Sequence, residues 1–307
     1  MIFYRFIYLF FIYFYNINTI SQNICINNYF FFINCFSKSD NLIFGNDTLI
    51  VSMTSFPQRI RFVKLSFSSI IKQKISPILY HCVLVLSVPE FPNKWLDLPQ
   101  ELLNFIFLEG IEIIWYNKNI RSHKKLIPTL KKYPNNPILI IDDDTLRDEG
   151  FLQCFLDDHK KFPNDIIFGL SHFIMDKNYK FIRKKKFKQK DTILARPANG
   201  IAGTLYPPHT FTDKRFFYEN IFMKLSPSSD ECWQWCFAII ENKNYRILST
   251  NFKLKNIPGS QNITLYKENE KKYNDIVKNL YDYFPEFKKQ LDLRIEKYYK
   301  KKNKKII

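Results

Sequence analysis

Residues 137–144 read Pro-Ile-Leu-Ile-Ile-Asp-Asp-Asp, an unbroken apolar run that ends in three adjacent carboxylates. A short apolar run without polar alternation is typical of a strand that is covered on both faces, as in parallel sheets. Ligands of such sheets bind beyond the carboxyl ends of the strands. This stretch therefore predicts the fold class and the position of a functional site together.

Further apolar runs alternate with stretches of helical spacing on both sides of this segment. Strands are predicted at residues 49–53, 78–86, 111–115 and 165–169, and helices at 62–73, 98–107 and 124–132. A small-residue loop at 199–203 enters another short strand, and a helix begins after Pro227. The alternation predicts a single α/β domain with a mostly parallel, Rossmann-like sheet flanked by helices.

Composition divides the chain into three regions. Residues 1–44 form a hydrophobic, aromatic leader. Its longest apolar run is shorter than a membrane-spanning helix, which needs about 20 residues. The leader is either a membrane anchor or a segment outside the packed fold. We expect residues 45–262 to form the catalytic domain and residues 263–307 to form a basic, partly helical tail.

The net charge of +17 is concentrated in two stretches. Residues 180–190 hold seven cations and no acid, and residues 291–307 hold seven cations and two acids. Such patches indicate a polyanionic partner, either an anionic membrane surface, a phosphorylated substrate or nucleic acid. No nucleic-acid-binding module is recognisable, which disfavours the last of these. The alternative is a solvated, lysine-rich surface.

Several common enzyme classes find no support in the sequence. The seven glycines allow neither a GxGxxG nor a GxxxxGK[ST] motif, and the five histidines contain no HxxxH pair. No GxSxG elbow is present. The six cysteines form no CxxC pair, which favours free thiols in a reducing cytosol. We therefore expect a cytoplasmic protein, in contact with the inner face of the membrane if the basic stretches bind lipid.

The carboxylate triplet is the strongest chemical feature of the sequence. Adjacent carboxylates repel one another, and Mg²⁺ or Mn²⁺ would remove that penalty. In an extended strand, Asp142 and Asp144 project to one side and Asp143 to the other. The outer pair would then hold a metal and a polar substrate group. The alternative is an acidic, solvated turn.

A second acidic pair, Asp230 and Glu231, follows Pro-Ser-Ser at the predicted start of a helix. The helix dipole favours ionised carboxylates there, so the pair could serve as a base or simply cap the helix. Trp233 follows closely, either as an aromatic wall for a sugar ring or as a core residue.

Five segments occur in an order that resembles a known enzyme family. They are VSMTSFPQRI, HKKLIPTLKKYP, ILIIDDD, NGIAGTLYPP and SPSSDECWQW, and they span about residues 47–255. Together they resemble nucleotide-sugar-dependent glycosyltransferases of the GT-A fold, and within these a family-2-like bacterial group involved in surface polysaccharide synthesis. The chain departs from the pattern at Arg147, where an aromatic residue is expected, and at Glu231, where aspartate is commoner.

The resemblance implies a role for each matching residue. It places Thr54, Ser55 and Arg59 in a first-strand loop that meets the nucleotide, and Lys125 opposite the phosphates. Asp142, Asp143 and Asp144 match the DxD segment, whose outer residues bind ribose and metal. The resemblance further implies that Gly200 and Gly203 shape a loop on the acceptor side, with Trp233 nearby. It also implies that Asp230 and Glu231 are the acidic pair that deprotonates the acceptor hydroxyl.

These features predict a metal-dependent, inverting transferase that moves a sugar from a nucleoside-diphosphate sugar to a glycan or lipid-linked acceptor. Two other classes remain open from the residues alone. The triplet and its lysines would also suit a metal-dependent phosphoryl or nucleotidyl transferase. The basic stretches would suit a non-enzymatic polyanion-binding protein.

Overall fold

The structure is a computed structural model that describes residues 45–73, 79–185, 187–197, 200–250, 252–263 and 266–303. The predicted leader at 1–44 lies outside the described residues. In the described part of the chain, no helix combines the length and the apolar character that crossing a membrane requires.

Twelve strands are described, and seven of them form the central sheet. In chain order, the strands are β1 Leu49–Thr54, β2 Tyr80–Ser87, β3 Glu112–Tyr116, β4 Ile138–Ile141, β5 Thr145–Arg147, β6 Ile166–Phe168, β7 Ser171–Met175, β8 Phe181–Arg183, β9 Ala195–Pro197, β10 Thr204–Tyr206, β11 Tyr245–Ile247 and β12 Leu254–Asn256. The central sheet has the order β11-β6-β10-β4-β1-β2-β3, and β10 runs antiparallel to its two neighbours. Two smaller antiparallel sheets have the orders β8-β7-β9 and β12-β5.

Eight α-helices are described, and they cover both faces of the central sheet. They are α1 Val63–Ile71, α2 Gln100–Glu109, α3 Ile127–Lys132, α4 Phe151–Lys161, α5 Glu219–Leu225, α6 Asp230–Ile240, α7 Tyr266–Tyr283 and α8 Pro285–Asn303. Helices α1, α2 and α4 pack on one face, and α3 and α5–α8 pack on the other. The predicted α/β fold, with a mostly parallel sheet flanked by helices, is confirmed.

The apolar run of β4 shows why this sequence forms a two-faced sheet. Ile138 and Ile140 enter the core on the α6 side, whereas Leu139 and Ile141 enter the core on the α4 side. All four side chains are fully buried. Because successive side chains of a strand point to opposite faces, burial on both faces requires an apolar residue at every position.

The C-terminal helices α7 and α8, in the region 263–307 that is predicted as a basic, partly helical tail, pack against the core of the domain. Tyr273, Leu280 and Leu291 are buried in the core on the α6 side, and Phe287 packs against Trp235 with ring centroids 5.5 Å apart. The apolar residues of α7 and α8 recur at helical spacing and pack against α6. Lysines dominate the composition of these helices, so composition alone did not predict this packing.

Candidate active site

A cleft of about 1000 Å³ opens beyond the carboxyl ends of β1 and β4. The loops that follow these strands form one part of its wall, and the small β8-β7-β9 sheet and α7 form another. The predicted site residues that line it are Thr54, Ser55, Arg59, Lys125, Asp142, Asp143, Asp144, Gly200, Asp230 and Glu231. The fold therefore brings together residues that lie up to 177 positions apart in the sequence.

The three aspartates lie in a turn, which corrects the expected alternation of their side chains. Strand β4 ends at Ile141, and a new short strand begins at Thr145. Asp143 and Asp144 therefore meet the same partner, whereas Asp142 meets a different one. The alternation rule fails because it holds for extended backbone and not for a turn.

Arg59 clamps the second and third aspartates. Its Nη2 pairs with Asp143 and lies 2.9 Å from Asp144 Oδ2. Ser55 Oγ donates to Asp143 Oδ2 at 2.6 Å. Burial raises the pKa of Asp143 to about 6, although Arg59 and Ser55 oppose that rise. The first-strand loop thus supplies charge and hydrogen bonds to the triplet.

Lys125 connects the triplet to the acidic pair. Its Nζ lies 2.9 Å from Asp142 Oδ1 and 3.4 Å from Asp230 Oδ2, and its side chain is 5% exposed. Ser52 of β1 donates to the Lys125 carbonyl at 2.6 Å, which fixes the backbone beneath the cation. Although burial disfavours its charge, Asp142 and Asp230 raise the pKa of Lys125. A single buried ammonium therefore holds two carboxylates from distant segments.

The two members of the acidic pair differ in environment. Ser229 is the N-cap of α6, since its hydroxyl accepts from the Cys232 N–H, so Asp230 is free for another role. Asp230 is 1% exposed, and although burial opposes ionisation, Lys125 holds its pKa below the usual value. Glu231 is partly exposed, and burial together with the charge of Asp230 raises its pKa. The expected depression of the pKa applies to Asp230 and not to Glu231.

Gly200 supports the first aspartate of the triplet. A Cβ at this position would lie 1.7 Å from Asp142 Oδ1 and 2.0 Å from its Cγ. The Asp142 N–H donates to the Gly200 carbonyl at 2.9 Å. The glycine is therefore required by the close approach of a carboxylate, not by a turn.

Arg147 lies beneath the triplet and was seen in the sequence only as a departure from a pattern. Its Nη2 donates to the carbonyls of Gly200 at 3.1 Å and Asp142 at 3.3 Å, and its Nη1 donates to Ser66 Oγ at 3.1 Å. Burial lowers the pKa of Arg147 to about 10, although the three aspartates oppose this. Arg147 thus ties the aspartate turn to the glycine loop.

Three other predicted site residues make contacts within the folded domain. Thr54 lines the cleft, but its hydroxyl donates to the Val85 carbonyl of β2 at 2.7 Å. Gly203 has a φ of +74° and abuts core side chains such as Phe151, away from the cleft lining. Trp233 is fully buried, and its Nε1 donates to the Phe216 carbonyl at 3.0 Å. The structure therefore places Trp233 in the core.

Several cleft residues were missed by reasoning from the sequence. Lys124 pairs with Glu90 beside the cleft, and Gln261 Nε2 donates to Asp144 Oδ2 at 3.1 Å. The small sheet and α7 add the side chains of His172, Phe173, Arg183, Arg196, Lys272 and Tyr273. Their positions depend on tertiary packing, and the one available signal was the basic character of residues 180–190.

The carboxylates suit a divalent cation of the kind that substrate phosphates help to bind. In the described part of the chain, no three His, Cys, Asp or Glu residues are arranged to hold a metal ion. Mg²⁺, however, commonly takes one or two carboxylates together with phosphate oxygens and water. Asp142 and Asp144 both line the cleft, and 28% of the Asp142 side chain is accessible. This donor set therefore fits Mg²⁺ or Mn²⁺ beside a phosphate ligand.

No protein-family model and no curated protein matches the chain. Among solved structures, it is similar to S. aureus TarS 1-349 in complex with UDP, with 12% identity, a TM-score of 0.47, and coverage of 67% of this chain and 59% of that chain. The complex with UDP-GlcNAc gives 12% identity, a TM-score of 0.46, and coverage of 67% and 57%. The chain thus spans less than two thirds of these TarS chains.

Proposed function

We propose that this protein is a glycosyltransferase that moves a sugar from a nucleoside-diphosphate sugar to an acceptor hydroxyl. The observation that carries the proposal is the bridge made by Lys125 between Asp142 and Asp230 within one cleft. A phosphate-binding cluster and a carboxylate base must lie close together in such an enzyme, because the acceptor oxygen that loses its proton attacks the same sugar carbon from which the diphosphate leaves.

The donor would lie along the loops after β1 and β3. Ser55 and Arg59 border the cleft here, and Lys124 and Lys125 follow one another at the end of the 3-10 helix Arg121–Lys125. Cations on this side suit a diphosphate, whose charge increases when the glycosidic bond breaks. Asp142 is the most exposed of the triplet, with 28% of its side chain accessible, and could accept from a ribose hydroxyl.

Asp142 and Asp144 would hold the divalent cation, which as a Lewis acid neutralises charge on the leaving diphosphate. The protein itself contributes by holding the two carboxylates in position. Arg59 keeps Asp144 in place, and Lys125 keeps Asp142 in place. Both contacts fix the carboxylates before substrate arrives, which avoids reorganisation during the reaction.

Glu231 is the proposed proton acceptor. It is the more exposed member of the pair, and its raised pKa makes it the stronger base. The acceptor oxygen forms its bond to the anomeric carbon, the bond from that carbon to the diphosphate oxygen breaks, and the hydroxyl proton passes to Glu231. Asp230 stays ionised beside Lys125. A single in-line displacement of this kind inverts the anomeric configuration.

The acceptor would enter past the small sheet and α7. The resemblance of the sequence to a surface-polysaccharide group favours a glycan or lipid-linked glycan as acceptor. Phe173 and Tyr273 line this part of the cleft, and Arg196 lies over the Tyr273 ring with its Cζ 4.0 Å from the centroid. Because these three side chains are buried, they support this wall of the cleft and expose little of their own surface to an acceptor.

The test is the release of nucleoside diphosphate from a panel of nucleotide-sugars, with and without Mn²⁺. We expect one sugar nucleotide to be turned over, and Glu231→Gln to lower kcat by roughly 100-fold or more while donor binding is retained. Glu219→Gln, which changes the first turn of α5 instead of α6, is the matched control. Turnover of nucleoside triphosphates in place of nucleotide-sugars, or full activity of Glu231→Gln, would contradict the proposal.

A further inference from the structure

Two basic stretches that lie about a hundred residues apart in the sequence form one surface. Tyr179 Oη donates to Asp292 Oδ1 at 2.8 Å, and Tyr298 Oη donates to Asp191 Oδ1 at 2.7 Å. Lys177 Nζ lies 5.2 Å from the centroid of the ring of Tyr299. We call this surface the Lys–Tyr face, and it is formed by the exposed and partly exposed side chains among residues 177–185, 187–190 and 288–300.

The Lys–Tyr face carries many more cations than acids, so its net charge is positive. Asp191 is fully buried, with Lys184 Nζ at 3.1 Å. Asp292 accepts from two tyrosine hydroxyls, and Glu296 pairs with Lys300. Between residues 177 and 190 the sequence contains no acid. The lysines around them, including Lys180, are mostly exposed.

Not all the predicted cations belong to this surface. Arg294 is 9% exposed, and its Nη2 donates to the Lys243 carbonyl at 3.1 Å, so it points into the domain. The basic stretch of α8 therefore contributes through Lys297 and Lys300, which are exposed. Tertiary packing thus selects which cations of the sequence face a partner.

Exposed apolar side chains lie among these lysines. Ile182 is 46% exposed, Leu293 is 52% exposed and Tyr179 is 37% exposed. Lysine stems cover apolar surface while their ammonium groups stay in water, and tyrosine favours the boundary between water and lipid headgroups. A surface that mixes lysine, tyrosine and exposed aliphatic groups matches an anionic lipid interface in both charge and polarity.

We propose that the Lys–Tyr face docks the protein on an anionic membrane surface. Nucleic acid is a poorer match, because Ile182 and Leu293 offer it neither stacking nor hydrogen bonds, and Tyr179 and Tyr298 already direct their hydroxyls to protein carboxylates. Arg183, next to Ile182 on β8, lines the cleft. Docking would therefore place the small-sheet part of the cleft beside the lipid, whatever the protein's reaction is.

The test is flotation of the full-length protein with vesicles of phosphatidylcholine, with or without about one third phosphatidylglycerol. The variant Lys180→Gln, Lys185→Gln, Lys188→Gln removes three exposed cations of the face. A lysine near an anionic surface contributes about 1 kcal/mol, or roughly fivefold in affinity, so we expect roughly 100-fold weaker binding to the anionic vesicles. The wild-type preference for anionic vesicles should decline with added salt.

The matched control removes the same charge from elsewhere. Lys72→Gln, Lys160→Gln, Lys161→Gln changes exposed lysines of α4 and the end of α1, which pack on the other face of the central sheet. This variant should bind anionic vesicles within about twofold of wild type, since its cations face away from the membrane. Thermal unfolding of both variants checks that each remains folded.

A second variant tests the apolar part of the face. Ile182→Ser with Leu293→Ser should weaken vesicle binding without changing its salt dependence, because it alters no charge. Three outcomes would overturn the proposal. They are equal weakening by the two triple variants, equal wild-type binding to neutral and anionic vesicles, and tighter binding to a single-stranded oligonucleotide than to vesicles at matched anion concentration.

Discussion

Replacing Lys125 with methionine removes a buried cation that contacts both Asp142 and Asp230. Methionine has a similar length and is apolar, so the change deletes the charge while it retains most of the packing. We expect the variant to fold, to be less stable, and to need a higher pH for activity. The last effect is the specific one, because it reports on the carboxylate base and not on the fold.

The magnitude follows from the distances. At 3.4 Å and an effective dielectric constant of about 20, the attraction between Lys125 and Asp230 is about 5 kcal/mol. Solvent entry and rearrangement in the variant offset much of this, so we expect the pKa of the acidic pair to rise by about one to two units. Breaking the buried pair should also cost about 3 to 5 kcal/mol of stability.

The assay is the initial rate of nucleoside diphosphate release between about pH 5 and 9. Activity rises with pH as the base loses its proton, and in Lys125→Met that rise should move toward higher pH. Lys125→Arg keeps the charge and should restore the wild-type position of the rise.

Lys124→Met is the matched control. Lys124 is as buried as Lys125, but its partner is Glu90 and not the acidic pair. This variant should lose stability and some activity without a change in the pH profile. If the two methionine variants have the same pH profile, Lys125 does not set the ionisation of the base, and the proposed link between triplet and base is wrong.

The remaining predictions concern the glycine loop, a peripheral carboxylate and the metal. Gly200→Ala should lower the rate of diphosphate release by roughly tenfold or more and the stability by about 1 to 3 kcal/mol, because the added Cβ displaces the Asp142 carboxylate. Gly45→Ala is the control and should change neither quantity, because its Cβ meets open space. Burial disfavours the charge of Glu112, but hydrogen bonds with His81, Lys132 and Tyr133 lower its pKa to about 2. Glu112→Gln should therefore reduce the free energy of unfolding by up to about 3 kcal/mol at neutral pH. In chemical unfolding, that difference should shrink as the pH falls from about 4.5 to 2, and it should be absent for the exposed Glu101→Gln. Asp144→Asn should weaken Mn²⁺ binding in the presence of nucleoside diphosphate by roughly tenfold or more. Electron paramagnetic resonance of free Mn²⁺ measures this binding. Unchanged binding would show that Asp144 is not part of the metal site.

Local patterns predicted most of the fold. The strands β1, β2, β3 and β4 lie within a few residues of their apolar runs. Burial on both faces leaves each of them without polar positions, so the signal is strong. The antiparallel direction of β10 could not be predicted, because three residues carry no information about which neighbours they join.

The sequence named residues that the fold brings into one cleft, but it did not predict their geometry. Asp142, Lys125 and Asp230 were recognised from separate motifs, and the structure places them in one cluster. The side on which each aspartate projects was predicted incorrectly, because the strand ends one residue before the triplet begins. The role of Arg147 was not predicted, because its side chain donates to backbone carbonyls that come together only after folding.

The sequence by itself determined the strand and helix pattern, the presence of carboxylates at strand ends, and the excess of lysine, since each of these is a property of neighbouring residues. Tertiary structure decided which charges meet. It paired Arg59 with Asp143, turned Arg294 inward, and joined the stretches around Lys184 and Tyr298 into one surface. Electrostatic interactions depend on distance in space and on burial, and both are fixed only when distant segments pack together.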